Sequence, residues 1–242
     1  MKKTNNNRIR NTISVISFGI AILSSIITLA QNNNSLPTAI DSTNLRIEAQ
    51  FQLEKAKNNK DWKGMSSAYK TIMYNSPKKE WTSYADSIIA MAILSNDNAV
   101  IGEAYLTKGI IYFNQKNHSK ALDNYILADK YLIKTDDQYA IYKAKYALAQ
   151  TKYYLGFYDE AIALFRQTLI YFEKENDLAT LNTYHALGLC YNKIKKYDLC
   201  SFYNNKGIIL AKESENSDII PYFIHSEGIN KYSIRKYSEA ID

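Results

Sequence analysis

A set of residues recurs about every forty positions along this chain, and that periodicity indicates stacked helical units. Small residues mark two positions of each unit, twelve residues apart: Gly109, Ala149, Gly188 and Gly228 at the first, and Ala121, Ala161, Cys200 and Ala240 at the second. A glycine inside a helix costs about 1 kcal/mol relative to alanine. Its recurrence therefore predicts that two helices cross closely at these positions, with Gly188 facing Cys200 in the third unit.

Acidic or asparagine residues stand before each unit, where a side chain can accept hydrogen bonds from the first N–H groups of a helix. They are found at Asn96 to Asn98, Asp136 to Asp137, Asn176 to Asp177 and Ser217 to Asp218. Each unit is therefore predicted to be a helical hairpin. The expected fold is all-α, an α-α superhelix in which antiparallel helix pairs stack as a solenoid.

The residues of the first clear unit resemble the tetratricopeptide repeat, a helix-turn-helix motif. Its six signature positions hold Tyr105, Gly109, Tyr112, Ala121, Tyr125 and Ala128. Lys145, Lys152 and Asn204 depart from aromatic positions in later units, and the forty-residue period indicates a long-helix variant. The resemblance implies repeats at 102–141, 142–180 and 181–220, a truncated one at 221–242, and degenerate helical repeats at 44–101.

In this family, one face of each first helix lines a concave groove that binds peptides. The resemblance thus implies a groove for a protein or peptide ligand, built from Phe113, Tyr146, Gln150, Tyr153, Tyr154, His185, Asn192, Tyr222, His225 and Tyr232. Tyrosine suits such a groove because it combines a large ring with a polar tip. The alternative is that a chain with 21 tyrosines places them everywhere. His185 and His225 share a repeat position, which is compatible with a pH-sensitive edge.

The N-terminus has the pattern of a secretory signal peptide. Residues 1–30 contain Lys2, Lys3, Arg8 and Arg10, then an uncharged run that ends at Ala30, where cleavage is expected. An uncleaved membrane anchor is the alternative, because the apolar run approaches the length of a spanning helix. Residues 31–43 form a polar linker. The repeats are therefore expected outside the cytoplasm, periplasmic or membrane-associated.

The charge balance gives no argument for nucleic-acid binding. The leader holds four of the 30 basic residues and no acidic one, so the remainder carries 26 basic and 24 acidic residues, a formal charge of +2. Contact with a membrane is expected only through the leader or through a segment beyond Asp242.

Catalytic chemistry is not indicated by any motif. The sequence has no H-E-x-x-H, nucleophile-elbow or phosphate-loop pattern. His118 is expected to fill a turn position occupied by tyrosine in other units. Cys190 and Cys200 fall where the repeat uses small buried residues, so core thiols are favoured over a disulfide. The sequence predicts a non-enzyme without a metal or other cofactor.

The leader and the long repeats together resemble the N-terminal sensor half of bacterial membrane-tethered transcriptional regulators. A free periplasmic or surface scaffold is the main alternative, and a cytoplasmic peptide-pheromone receptor is a third. Since Asp242 falls early in the second helix of the fourth unit, the array is expected to be incomplete. Residues 31–242 should then self-associate or fray at the C-terminal end.

Overall fold

The computed structural model describes residues 39–236, which fold into α-helices without strands. The helices are α1 (Ala39–Asn58), α2 (Trp62–Tyr74), α3 (Trp81–Ser95), α4 (Asn98–Asn114), α5 (His118–Leu132), α6 (Gln138–Tyr154), α7 (Tyr158–Glu175), α8 (Asp177–Lys193), α9 (Tyr197–Glu213) and α10 (Ile220–Ser233). Single 3₁₀ turns lie at Lys78–Glu80 and Ser217–Ile219. The all-α helix-pair array predicted from the sequence is confirmed.

Helices pair as neighbours in the chain, giving the hairpins α2/α3, α4/α5, α6/α7 and α8/α9, with α10 packed on the last of these. The chain divides into two compact units, with the boundary between Asn44 and Leu45. Of the first unit, the structure describes only the start of α1. The predicted leader, most of the predicted linker and Ala240 lie outside the described residues.

Side chains cap three of the four repeat units as the sequence predicts. Asp97 accepts hydrogen bonds from the N–H groups of Ala99 and Val100, Asp137 from Ala140 at 2.9 Å, and Asn176 from Ala179 at 2.9 Å. The fourth prediction is wrong. Ser217 and Asp218 lie in a 3₁₀ turn, and α10 begins without a side-chain cap. Pro221 in its first turn leaves one N–H fewer to satisfy.

The turns that follow α4, α6, α8 and α10 share one geometry. Their left-handed residues are Lys116, Gly156, Lys195 and Arg235, with φ between 61° and 88°. In each turn the next residue donates its N–H to a carbonyl five positions back, as Asn117 does to Tyr112 at 2.9 Å. This bonding closes the end of a helix. The same bonding is present where lysine or arginine replaces the favoured glycine.

Small residues do lie where helices cross, but one predicted contact is wrong. A Cβ atom added to Gly109 would lie 2.5 Å from the ring of Tyr125, which is fully buried. At Gly188 the same atom would lie 2.8 Å from Oδ1 of Asn204, and it would approach only the carbonyl of Cys200, at 3.7 Å. Gly188 therefore faces Asn204, one helical turn beyond Cys200. In both hairpins the glycine makes room for a larger residue of the second helix.

The small residues of the helix pairs lie in the interior. Ala121, Ala149, Ala161 and Cys200 are completely buried. In the N-terminal part, Ala49 and Leu53 of α1 form a cluster with α2, and Ile88 of α3 belongs to a second cluster that reaches α4. The helices predicted from the degenerate segment are thus packed into the array.

Candidate functional site

Four of the predicted groove residues lie inside the protein. Phe113, Tyr146, Gln150 and His185 are only 5, 2, 6 and 3% exposed. Burial raises the pKa of the Tyr146 hydroxyl, which has no hydrogen-bond partner among the described residues. These side chains therefore offer almost no surface to a ligand in this structure.

Tyr146 packs on Phe165 and Phe172 of α7, its own hairpin partner, with ring centroids 5.3 and 6.4 Å apart. Phe113 and His185 instead contact the first helix of the next hairpin. The ring of Phe113 in α4 meets that of Tyr154 in α6, with centroids 5.3 Å apart. In the same way, His185 in α8 contacts Phe223 in α10 at 5.6 Å. At Phe113 and His185, the face that the resemblance assigned to a ligand is thus covered by the next first helix.

A cluster of five rings, four of them partly exposed, lies at the turn ends of two hairpins. We call Phe113, His118, Tyr153, Tyr154 and Tyr158 the turn cluster. His118 stacks on Tyr154 with centroids 4.9 Å apart, Tyr153 meets Tyr154 edge-on at 5.4 Å, and Tyr158 lies 5.7 Å from Tyr153. All of these rings except that of Phe113 are partly accessible to solvent. The cluster therefore presents aromatic surface from α5, α6 and α7 side by side.

The turn cluster is apolar in its centre and charged at its rim. Burial lowers the pKa of His118 and raises that of Tyr154, so the imidazole is neutral at neutral pH and the phenol keeps its proton. At the rim Lys152 forms an ion pair with Glu160 at 2.6 Å and lies over the ring of Phe157. Neutral rings with hydroxyl tips can bind apolar and amide groups.

The three predicted groove residues that belong to α10 lie at the surface. Tyr222 is 39% exposed, Tyr232 is 66% exposed, and His225 is also exposed. They are not part of the turn cluster, which belongs to earlier hairpins. The structure therefore divides the predicted groove into an interior set, the turn cluster and the α10 face.

Asn192, the tenth predicted residue, belongs to a polar network that fastens α10 to α8 and α9. Its amide donates to Oδ1 of Asn230 at 3.2 Å, and Asn230 donates to Ser201 Oγ at 2.8 Å. Ser201 in turn donates to Glu227 at 2.6 Å, and Asn204 donates to the other carboxylate oxygen at 2.9 Å. Asn192 therefore has a structural partner within the array.

Sequence reasoning missed several of these residues. It placed His118 at a turn position that tyrosine holds in other units. Tyr158 is one of these tyrosines, and the shared position was the signal that rings gather there. Glu227, Ser201 and Asn230 left no such signal, because the equivalent positions of other units hold different residues. Their role depends on three helices meeting at one point.

The two cysteines lie in the interior of the array. Cys190 and Cys200 are fully buried and free, which confirms the predicted core thiols. Burial raises their pKa values to about 12 and about 11, so both stay protonated at neutral pH. Between residues 39 and 236, no three histidine, cysteine or acidic side chains are grouped so that they could hold a metal ion.

Comparison with solved structures places the fold among helical repeat proteins. BtubC (BKLC) from P. vanneervenii superposes with a TM-score of 0.66 at 13% identity, over 82% of this chain and 86% of that one. A Rap protein complexed with competence and sporulation factor gives 0.56 at 15% identity, over 90% and 76%. A signal-transduction ATPase with a tetratricopeptide repeat sensor, from Pyrococcus horikoshii, gives 0.64 at 14% identity; the match covers 93% of this chain and 40% of that longer protein.

Comparison by sequence matches a smaller part of the chain than comparison by structure does. No curated protein matches the chain. The tetratricopeptide repeat family model matches residues 141–199, which span most of α6, all of α7 and α8, and the start of α9. The chain thus has the fold of a tetratricopeptide-like α-solenoid and contains a segment that matches the tetratricopeptide repeat family.

Proposed function

We propose that this chain is a non-catalytic scaffold that binds a protein or peptide, with the turn cluster as its main anchor. The observation that carries this proposal is the row of partly exposed rings His118, Tyr154, Tyr153 and Tyr158, which crosses from one hairpin to the next. Such rings provide a large contact area at a low cost in side-chain entropy. Interfaces draw most of their affinity from a few anchors of this kind.

Two further observations support a binding role. Tyr153, Tyr154 and Tyr158 lie inside the segment that matches the tetratricopeptide repeat family. Among proteins with this fold, the Rap protein was solved in complex with competence and sporulation factor, and the ATPase uses its repeats as a sensor. The proposed site thus keeps Tyr153 and Tyr154 of the predicted groove and adds His118 and Tyr158, whose rings are also partly accessible to solvent.

The test starts from a displayed library of random peptides, selected on the full chain. Selected peptides should lose about 2 kcal/mol of binding free energy, roughly thirty-fold in affinity, when Tyr153 and Tyr154 are both changed to alanine. Fluorescence polarisation with labelled peptides measures the loss. Far-UV circular dichroism shows whether the variant keeps its helices.

The matched control changes Tyr142 and Tyr171 to alanine. These residues also lie in α6 and α7, are also partly exposed and stack with centroids 4.6 Å apart, but they belong to the other end of the two helices. Their removal should leave peptide affinity within about threefold of wild type, well under the 1.4 kcal/mol that a tenfold change requires. Equal losses in both double variants would contradict the assignment to the turn cluster.

Export is the second part of the proposal, and it rests on the basic start and apolar run of residues 1–30. If the leader is cleaved, Edman sequencing of the protein recovered from the bacterial cell envelope or medium should begin at Gln31. A chain that still begins at Met1 would contradict cleavage and favour the membrane anchor. Within residues 39–236, no helix is both long and apolar enough to cross a bilayer.

In this proposal the exported array is the sensor part of a transcriptional regulator. The support is the resemblance of leader and long repeats to such sensor halves, together with the sensor role of the repeats in the archaeal ATPase. The complete reading frame distinguishes the possibilities. A hydrophobic span and a helix-turn-helix domain encoded after Asp242 would support the regulator, whereas a stop codon there would favour a free scaffold.

A further inference from the structure

Basic residues are concentrated at one edge of the array. The turns α2/α3, α4/α5, α6/α7 and α8/α9 lie at this edge, because successive helices run antiparallel. We call these turns, with the helical turns that adjoin them, the turn edge. Its exposed basic residues include Lys78, Lys79, Lys116, Lys120, Lys193, Lys195 and Lys196. Its exposed acidic residues are fewer and include Asp159, Glu160 and Asp198.

Contacts between neighbouring turns place them side by side. The Gln115 amide in the α4/α5 turn donates to Thr82 Oγ1 beside the α2/α3 turn at 3.3 Å. The ring of Phe113 at the end of α4 meets that of Tyr154 at the end of α6, with centroids 5.3 Å apart. Helix α8 packs on both α6 and α7. The turn edge is therefore one surface that several hairpins share.

The opposite edge, where each hairpin joins the next, has the reverse charge beyond α3. Its exposed acidic residues include Asp136, Asp137, Glu173, Glu175, Asp177, Glu213, Glu215 and Asp218. Its exposed basic residues include Lys130, Lys134, Lys174 and Lys212. The charges of a chain with a small net charge are thus separated between two edges. Such a separation attracts an acidic partner to the turn edge and repels it from the opposite edge.

The turn cluster lies in the middle of the turn edge. On one side of it Lys116 and Lys120 are exposed, and on the other side Lys195 and Lys196 are exposed. None of these four lysines forms an ion pair with another residue of the part of the chain that the structure describes. Lys152, next to the rings, is already paired with a carboxylate of α7 at 2.6 Å. The turn edge therefore offers an aromatic centre between two positive flanks.

We propose that the turn cluster binds an acidic peptide segment, with apolar side chains in its centre and carboxylates on both sides. This inference rests on the proposed function, because the rings supply the central contact. The flanking lysines supply selectivity: exposed charge pairs add little affinity one by one, but complementary charge guides encounter and rejects partners of the wrong sign.

The acidic residues of the turn edge argue against a uniformly charged partner. Asp159 and Glu160 are exposed in the first turn of α7, at the centre of the edge. A nucleic acid or an anionic lipid surface carries negative charge along its whole length, so it would meet these carboxylates. A peptide can hold its charges at the flanks alone.

The spacing of the hairpins sets the spacing of the charges in the ligand. Packed helices lie about 8 to 10 Å apart, so the α4/α5 and α8/α9 turns, two hairpins apart, are separated by roughly 20 Å. An extended chain advances about 3.3 Å per residue. The two acidic positions of a bound peptide should therefore lie about six residues apart, with the apolar residues between them.

The first experiment uses the peptides selected from the displayed library on the full chain. Their sequences should be enriched in aspartate and glutamate on both sides of an apolar centre. Each peptide is compared with a counterpart in which amides replace all carboxylates, and this replacement should weaken binding about tenfold at low salt. At about 1 M salt, where the Debye length is about 3 Å, most of the difference should disappear. Equal affinities at low salt would overturn the inference.

The second experiment reverses the charges of the protein. Lys120→Glu and Lys196→Glu together place one carboxylate on each flank, at helix N-termini that tolerate negative charge. Fluorescence polarisation should show about tenfold weaker binding of the acidic peptides and no more than about a twofold change for their amide counterparts. Far-UV circular dichroism shows whether the variant keeps its helices.

The matched control is Lys134→Glu with Lys174→Glu, which reverses two exposed charges at the opposite edge. Lys134 lies over the ring of Tyr131 at 5.6 Å, much as Lys120 lies over that of Tyr112 at 5.3 Å. The control should keep affinity for the acidic peptides within about threefold of wild type. Equal losses in the two double variants would show that net charge, and not the turn edge, selects the ligand.

The outcomes separate this inference from the proposed function. Peptides that depend on Tyr153 and Tyr154 but ignore both charge changes would overturn the acidic preference and leave the proposed site intact. Peptides that depend on the lysines but not on the two tyrosines would contradict the turn cluster itself. Tighter binding of a single-stranded DNA oligonucleotide, or of vesicles that contain phosphatidylglycerol, than of the selected peptides would overturn the assignment to a peptide.

Discussion

Lowering the pH from about 7.5 to about 4.5 should cost the fold about 3 kcal/mol through one residue, His185. Burial, with a smaller contribution from nearby His225, lowers the pKa of His185 to about 3. Between these two pKa values, His185 is protonated in the unfolded chain, where its pKa is near 6.5, but stays neutral in the folded chain. Stability is therefore complete above about pH 6.5 and falls progressively as the pH drops toward 3.

Urea unfolding at the two pH values, in wild type and two variants, measures this contribution. Other groups titrate in the same range, so the informative quantity is the difference between wild type and His185→Leu or His185→Gln. Both variants should lose about 3 kcal/mol less on acidification than wild type. Leucine tests the packing that Leu106 uses at the equivalent position, and glutamine keeps a polar group. Equal acid sensitivity in all three proteins would show that His185 titrates normally.

Replacing Gly188 with leucine should lower the free energy of unfolding by about 3 kcal/mol. The new Cβ atom would lie 2.8 Å from Oδ1 of the fully buried Asn204, and the rest of the side chain would need space that the crossing lacks. Displacing Asn204 would also break its 2.9 Å hydrogen bond to Glu227, which helps to hold α10. The leucine recovers less than about 1 kcal/mol through better helix propensity.

Chemical denaturation measures the loss, and Ala163→Leu is the control because it adds leucine at an exposed position of α7. That variant should stay within about 0.5 kcal/mol of wild type. Hydrogen exchange adds a local measurement. Gly188→Leu should reduce protection in α10 more than in α4, since the disturbed contact leads to α10. An unchanged denaturation midpoint would mean that the helices do not cross at Gly188 as described.

The hairpins and their order could be predicted from the sequence because their causes are local. A glycine or alanine every forty residues, with an aspartate or asparagine before each unit, marks where a helix crosses its partner and where it begins. The prediction failed at Ser217 and Asp218 for a local reason as well: Pro221 allows a different start, and the 3₁₀ turn replaces the cap.

The candidate site was only partly predictable, because the sequence does not show which helix covers a given face. Tyr146 and Tyr153 lie two helical turns apart on α6 and look alike in the sequence. The first is buried and the second reaches the surface. Tyr146 packs on Phe165 and Phe172 in the middle of α7, whereas Tyr153 lies beside Tyr158 at the start of α7. The resemblance assigned one face of each first helix to a ligand, and in this structure several side chains of that face are buried.

The sequence by itself thus determined the repeat, the helix pairs and the buried small residues, since each depends on contacts within one hairpin. The tertiary structure decided what lies opposite Gly188, why His185 stays neutral, how Asn192 reaches Asn230 and which rings form the turn cluster. Gly188 and Asn204 face each other within the α8/α9 hairpin, whereas the other features join residues from different hairpins. They follow from how closely and at what angle the hairpins stack, which no single repeat encodes.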